Sequence, residues 1–395
     1  MTGPLADVLV VDLSRALAGP HAAMMLGDLG ARVIKVESPR TGDDTRGWGP
    51  PFVGPPAAPE STYFLSANRN KQSIELDLKN TADLDTLRAM LRRADVLIEN
   101  FRPGVLDRLG FDAGTLQALN PRLVVLAISG FGHDGPEGGR AGYDQIAQGE
   151  AGLMSLTGSG PDDVQRVGVP IGDLLAGMYG AYGVLAALHE RATTGRGQVV
   201  RTSLLAAIVG VHAFQGTRFT VAGEVGHAQG NHHPSVAPYG LFTTADGAIQ
   251  VAVGNDSLWR ALCSVIAIEP ETPIFATNAD RVANRAELIA TIERVFADRS
   301  SADLLAQLET AGVPAGIVRS IDQVYAWEQT RSQGLVVEVE HPTLGTIELP
   351  GPPLRFFDFD GDEQTRRDHS APPTLDQHGD AVRAWLDESP LADDV

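Results

Sequence analysis

Asp173 is the position where residue type and setting point most directly to chemistry. It follows Gly172 and the extended Val167-Gly168-Val169-Pro170, and it heads a long helical pattern that runs to about Ala192. A carboxylate at that place has a structural use: as an N-cap it would accept hydrogen bonds from unpaired amides of the first turn, worth about 1 kcal/mol. It also has a chemical use. The helix dipole would keep it ionised, and an ionised carboxylate can attack an electrophilic carbonyl. The two roles do not exclude each other, and spacing alone does not choose between them. Metal chemistry finds little support, since there is no HExxH, no cysteine pair, and no third ligand at a recognisable distance from His232-His233, which read as loop residues. A GxSxG elbow and a Walker loop are both missing, which weakens hydrolase readings. The first turn, Ser14-Arg15-Ala16-Leu17-Ala18-Gly19-Pro20, departs from GxGxxG and removes the usual support for NAD or FAD.

The elements that must position Asp173 can be read from periodicity. Its own helix carries Ala176, Gly177, Gly180, Gly183 and Ala187. Gly inside a helix costs roughly 1 kcal/mol against Ala, so this many implies a close approach by another helix or subunit, or else a crowded core. The apolar run Leu174 to Leu188 is 15 residues long, short of the ~20 that a bilayer crossing requires, and reads as a core helix. Upstream, a strand at Val8 to Asp12, a helix at about Pro20 to Leu29 and a strand at Arg32 to Glu37 form a buried βαβ unit. Strands at Ser73 to Asp77, Val96 to Glu99 and Leu123 to Ile128 follow, separated by helices at Thr81 to Arg92 and Gly114 to Leu119. That alternation predicts an α/β layered domain with a mostly parallel sheet.

Around Ala222 to Pro238 the apolar pattern stops in a Gly-, Pro- and His-rich stretch, which reads as a mobile loop or a domain crossing. Two strands, Tyr239 to Thr243 and Ala248 to Val253, flank the turn Ala245-Asp246-Gly247. Helices at about Ser257 to Ile266, Arg285 to Ala297 and Ser301 to Ala311 complete a smaller α+β domain. A second hairpin, Leu335 to Glu340 with Gly345 to Leu349, and a last helix from Asp376 to Leu386 precede a frayed end from Asp387 to Val395. The expected division is 1–221 and 331–395 for the large domain and 222–330 for the small one.

Composition bounds the partners. The chain has 395 residues, 43% hydrophobic and 21% charged, with a net charge of −19, so it can bury more than one core but offers no basic surface for nucleic acid. A small anionic ligand remains compatible, because one or two Arg in a cleft can set the local field. Cys263 is the only cysteine, which excludes an internal disulfide and fits a reducing cytosol. The first thirty residues hold Asp7, Asp12 and Arg15 in a strand-loop-helix pattern and do not read as a signal peptide. A cytoplasmic protein that neither binds nor crosses a membrane is expected.

Several ordered stretches resemble the class III CoA-transferases, also called the CaiB/BaiF family. They are Val11-Asp12-Leu13-Ser14 through Ala18-Gly19-Pro20, Gly27-Asp28-Leu29-Gly30-Ala31, Val33-Ile34-Lys35-Val36-Glu37 and Gly42-Asp43-Asp44-Thr45-Arg46. Further along come Asn68 to Ile74, Glu99 to Gly104, Gly142-Tyr143-Asp144, Gly172-Asp173, Gly312 to Gly316 and Val339 to Pro342. The resemblance implies a Rossmann-like large domain built from both chain ends, a smaller domain between them, and two subunits interlocked as a homodimer. It implies an acyl-CoA and a carboxylic acid as substrates, coenzyme A as co-substrate and no permanently bound cofactor. Asp173 becomes the nucleophile, which forms a mixed anhydride and then an aspartyl-CoA thioester. The Gly226 to Gly230 loop would close and lend amide donors to the oxyanions, with Gly230 among the substrate-binding positions beside Leu17, Ala18 and Tyr143. For CoA, the resemblance points to Asn100, Phe101 and Arg108, to Leu76 beside the adenine and Val105 along the same wall. Arg40, Arg46 and Arg102 are phosphate candidates.

Branch features narrow the substrate. The formyl-CoA and oxalate branch has Gln at the position of Leu17 and His at that of Arg15. The 2-methylacyl-CoA racemases carry Gly-His-Asp where this chain has Gly142-Tyr143-Asp144; a phenol with an ordinary pKa near ~10 is a poor base at neutral pH. Ser14-Arg15, Gly49-Pro50-Pro51 and Gly142-Tyr143-Asp144 look most like the succinyl-CoA-dependent dicarboxylate transferases. Arg15 or Arg69 would then meet the distal carboxylate.

Overall fold

Runs of Val, Ile and Leu, apolar on both sides, can only be satisfied by a sheet covered on both faces. The computed structural model describes residues 3–388 and contains that sheet. Its strands are β1 (Leu9–Asp12), β2 (Arg32–Glu37), β3 (Lys71–Glu75), β4 (Val96–Glu99), β5 (Val124–Ser129) and β6 (Val199–Ser203). They lie in the order β6-β5-β4-β1-β2-β3, and every neighbouring pair is parallel. The chain is thus a mixed α/β protein with a parallel central sheet. Register places Asp12 opposite Lys35 on β2 and opposite Ile98 on β4. Strand order reverses between β1 and β4, and the carboxyl ends of those two strands are where an open parallel sheet leaves a crevice for ligands.

Alternation along the strands feeds two cores. Val10, Val33, Ile98, Leu126 and Ile128 face one side; Leu9, Val11, Ile34, Ile74, Leu97 and Val125 face the other. Nine helices of this unit are α1 (Ala18–Asp28), α2 (Thr62–Ser66), α3 (Thr81–Arg93), α4 (Val105–Arg108), α5 (Ala113–Leu119), α6 (Asp144–Glu150), α7 (Ile171–Thr194), α8 (Leu204–Gly210) and α9 (Ala213–Ala222). α1 and α7 lie together on the first face, α3 and α5 on the second. The helix expected from Asp173 starts at Ile171 and is longer than the apolar run within it. By length and composition it could cross a membrane, but its small residues pack against other parts of this chain. A Cβ on Gly177 would stand 2.6 Å from the Ala18 carbonyl, one on Gly180 2.8 Å from Leu126, and one on Gly183 2.6 Å from Val200. Packing against α1 and the sheet therefore accounts for the glycines.

The contacts divide the chain into two compact units. The first comprises residues up to Leu153, Val167–Ala222 and residues from Glu328 on. The second comprises Met154–Arg166 and Gly223–Trp327, so the short stretch before α7, read from sequence as large domain, belongs to the smaller unit. There, strands Tyr239–Thr244, Gly247–Ala252 and Ala315–Ile317 form an antiparallel sheet. Helices Asp256–Ile266, Arg285–Phe296 and Ser301–Thr310 cover it, burying Trp259, Phe242 and Phe296. Residues 223–238 are irregular. In the first unit, the hairpin Val336–His341 with Gly345–Pro350 and the helix Gly379–Glu388 are present as expected. The end expected to fray, Asp387 to Val395, lies outside the described residues from 389 on.

Candidate active site

The amides that open α7 are satisfied by a different element. The N-cap residue is Pro170, which has no side-chain cap to give. Asp144, in the first turn of α6, supplies the cap: its Oδ1 accepts from Gly172 N at 2.7 Å and from Asp173 N at 3.3 Å. Asp144 Oδ2 accepts from Gln148 Nε2 at 2.7 Å, and Gln148 Oε1 in turn accepts from Val167 N at 2.8 Å. Asp144 and Gln148 are four residues apart on one face of α6, so they tie down the whole extended entry to α7. Gly172 has a clear reason. A Cβ there would stand 3.0 Å from Asp144 Oδ1, so a side chain would crowd the capping carboxylate away from the amides.

The sequence reading of Asp173 as the cap is therefore corrected, and the correction matters chemically. With the cap provided by Asp144, the Asp173 carboxyl is left over: among the described residues no hydrogen bond or ion pair is made to its oxygens. It is only partly buried, not sealed in the core. Burial, and after it the negative charge of Asp144, push its pKa up to about 7. The dipole argument for a fully ionised group is overturned by these two opposing effects. What results is an unpaired, poorly solvated and unusually basic carboxylate, suited to nucleophilic attack or to proton transfer.

One neighbour was missed by sequence reasoning. The phenol of Tyr63 on α2 is pushed up to about 12 by burial and then by Asp173, Asp144 and Asp43. Its ring stands edge-on to Trp48, with centroids 5.0 Å apart. No motif marked Tyr63; Ser61, whose Oγ accepts from Tyr63 N at 3.1 Å and caps α2, was the available signal.

The remaining candidates separate by placement. Arg15 is half-buried, and its Nη2 donates to Ser38 Oγ at 2.7 Å. Leu17 and Ala18 are buried side chains at the head of α1, so only their backbone faces the turn. Tyr143 is 70% exposed, in extended backbone before α6. Gly230 stands at a φ of +62° in the second unit, and its amide donates to Gly158 O at 2.9 Å. That amide is thus committed, which alters the expectation that it serves an oxyanion.

Arg69 is a correction: it is 4% exposed, and its guanidinium pairs with both oxygens of Asp28 while Nη1 donates to Pro350 O. Arg46 is likewise engaged, in a fork with Glu37 and stacked 3.6 Å over the Phe64 ring. Leu76 is 1% exposed and its side chain belongs to the core, where it offers no surface to an adenine. Asn100, Phe101, Arg102, Val105 and Arg108 do come together, after the end of β4 and on α4. Asn100 brackets Arg15, accepting from its N–H at 2.9 Å and donating to its carbonyl at 2.7 Å. Phe101 packs on the second core, while Arg102 and Arg108 are exposed, as is Arg40 beyond β2. Glu99, which accepts from Phe101 N at 2.8 Å, is pushed up to about 7 by burial. Among the described residues no group of three His, Cys, Asp or Glu side chains could hold a metal.

Comparison with known proteins gives the family of the chain. The sequence profile described as CoA-transferase family III matches residues 5–379. The human succinyl-CoA:glutarate CoA-transferase is 38% identical over 95% of this chain and 84% of its own length. A succinate–glutarate CoA-transferase from Agrobacterium fabrum is 40% identical over 88% of both chains. A crystal structure of a CAIB/BAIF family protein from Brucella suis superposes with a TM-score of 0.86 at 39% identity, covering 98% of this chain and 100% of that one. This chain therefore belongs to CoA-transferase family III, enzymes for which coenzyme A is a co-substrate.

Proposed function

We infer that this enzyme moves CoA from succinyl-CoA to a second dicarboxylic acid of the glutarate type, through covalent intermediates on Asp173. The observation that carries the reading is the unpaired carboxyl of Asp173, held at the head of α7 while Asp144 occupies the amides beneath it. An Asp173 oxygen attacks the thioester carbonyl, the C–S bond breaks, and CoA leaves as a thiolate from the mixed anhydride. The thiolate then attacks the Asp173 carbonyl carbon and releases the donor as its carboxylate, leaving an aspartyl-CoA thioester. The incoming carboxylate repeats the first exchange in reverse: it attacks the thioester, expels the thiolate, and the thiolate takes the new acyl group. Atoms balance without any proton or cofactor, and one hard acyl exchange becomes four easier steps.

The dicarboxylate class rests on the named relatives and on Arg15, the half-buried cation beside the α1 turn. Its guanidinium suits a distal carboxylate bidentately, while the uncapped amides at the head of α1 suit the developing oxyanion. Arg102 and Arg108, exposed beside Asn100 and Phe101, and Arg40, exposed beyond β2, are candidates for CoA phosphates. Substituting Asp173→Asn should lower transfer between succinyl-CoA and a panel of free acids by about 10³-fold or more, with the unfolding transition preserved. Transfer persisting at a comparable rate would refute the assignment.

A second copy of the chain is the proposed cover for one apolar face. Met178, Tyr179, Tyr182 and Leu185 project from α7 and are exposed, Tyr182 by 72%, and Phe219 and Val221 are exposed on α9. Such a surface exceeds what scattered single residues explain. Sedimentation should give twice the chain mass; a monomer at micromolar concentration would contradict the interlocked pair.

A further inference from the structure

Behind the β1–α1 turn lies a chain of buried charges that the reaction scheme leaves unused. Asp12, Lys35, Asp43 and Lys71 are each at most 2% exposed. Lys71 Nζ donates to Asp12 Oδ2 at 3.0 Å, to Asn68 Oδ1 at 2.9 Å and to Pro20 O at 2.8 Å. Lys35 Nζ stands 2.8 Å from Asp43 Oδ2 and 4.0 Å from Asp12 Oδ2. Two cations face two anions, so the set is neutral. Stability is a weak reason for it, because apolar residues of the same volume are often as stable or more so than a buried ion pair.

Asp12, Lys35 and Asp43 share a target, the backbone of the turn, while Lys71 reaches it only through Asp12. Asp12 Oδ1 accepts from Ser14 N at 3.0 Å, and Lys35 Nζ donates to Ser14 O at 2.9 Å. Asp43 Oδ1 accepts from Ala16 N at 3.2 Å, with Asn100 holding both groups of Arg15 between them. Three consecutive residues are thus fixed by side chains where a helix or strand would normally fix them. Ala16 sits at a φ of +64°, a left-handed conformation that a non-glycine residue keeps only when its surroundings impose it. The turn also abuts the nucleophile's helix. One turn beyond Asp173, a Cβ on Gly177 would meet the Ala18 carbonyl at 2.6 Å, and Tyr63 feels the charges of Asp173 and Asp43 together.

We propose that Lys35 and Asp43, backed by Asp12 and Lys71, are positioning residues: they clamp Ser14 to Ala16 so that the uncapped amides heading α1 meet the acyl group on Asp173. The clamp rests on the covalent reading above. It acts through geometry, so it governs the chemical steps more than the binding of CoA.

Asp43→Asn keeps an acceptor for Ala16 but removes the charge that faces Lys35, and should lower kcat by about tenfold or more while KM for the CoA ester shifts by less than about threefold. Ala16→Val reaches the turn without touching a buried charge, since a β-branched residue resists positive φ. The strain should lower the unfolding midpoint, and the same split should appear in assays run well below that midpoint. If both variants lower the unfolding midpoint yet retain full kcat well below it, the residues are merely structural and the proposal is overturned. The unaltered chain separates the two failures: no transfer there sinks the covalent reading and the clamp with it, whereas undiminished transfer in both variants sinks the clamp alone.

Discussion

If Asp173 is the proposed nucleophile, burial and a second carboxylate together set its basicity. Asp144 does two things at once, satisfying the α7 amides and placing a negative charge near Asp173, and both effects leave Asp173 basic. Its pKa of about 7 is raised, so the nucleophilic anion is depleted below that pH and full above it. The rate constant kcat/KM should therefore climb with pH through about 7 and level off. Asp144→Asn keeps an oxygen for the amides but removes the like charge, which leaves burial alone to raise the pKa; the acidic limb should move to lower pH. A limb that stays put, or moves to higher pH, would deny the coupling. The Gly172-Asp173 pair could be read from sequence as a helix head, but which carboxylate does the capping could not, because Asp144 lies 28 residues upstream of Gly172. Arg69 failed for the same reason. Its partner Asp28 is 41 residues away, and nothing local distinguishes a buried ion pair from a cation awaiting a substrate.

Helix α7 carries the site, and its glycines set how closely it approaches its neighbours. At Gly177 the obstacle to a side chain is the Ala18 carbonyl, a backbone group that cannot swing aside; at Gly180 it is the tip of Leu126, which can. Gly177→Ala should therefore destabilise the fold by about 1–3 kcal/mol through overpacking, and Gly180→Ala by less, as read from denaturant midpoints at equal m-value. Equal effects would mean that the contact with α1 is not what Gly177 serves. Periodicity exposed this helix and the strands β1, β2, β4 and β5 because each is long or mostly apolar, while β3, Lys71–Glu75, has one apolar residue and reads from sequence two residues late, at Ser73 to Asp77. The sixth, Val199–Ser203 at the sheet edge, follows two Val with Arg, Thr and Ser, and offers no continuous apolar run to detect. Residues 154–166 escaped for a related reason. Their small hairpin, Gly158–Gly160 with Asp163–Val164, is built of glycine and acidic residues, and sequence proximity to α7 hid its membership of the other unit.

At the scale of the whole chain, segments far apart in sequence meet beyond the carboxyl ends of β1 and β4, where Asn100 holds the backbone of Arg15. The C-terminal stretch returns to brace the same sheet: His378 N donates to Ser73 O at 3.0 Å, and Trp385 stacks 4.2 Å from the Arg32 guanidinium. That return followed from family likeness and from no local signal, since long-range closure leaves no periodic trace. The net charge of −19 likewise gave no hint of a site for anionic substrates, which is set by local cations such as Arg15 against the global field. Covalent chemistry at Asp173, as proposed, is reported directly by the mass of the intact protein. Mixed with succinyl-CoA and no second acid, the enzyme should gain the mass of CoA less one water as a thioester mapped to Asp173, lose the CoA on addition of the acceptor acid or hydroxylamine, and gain nothing as Asp173→Asn. Turnover at full rate with no adduct on Asp173, or with the adduct on another residue, would contradict it.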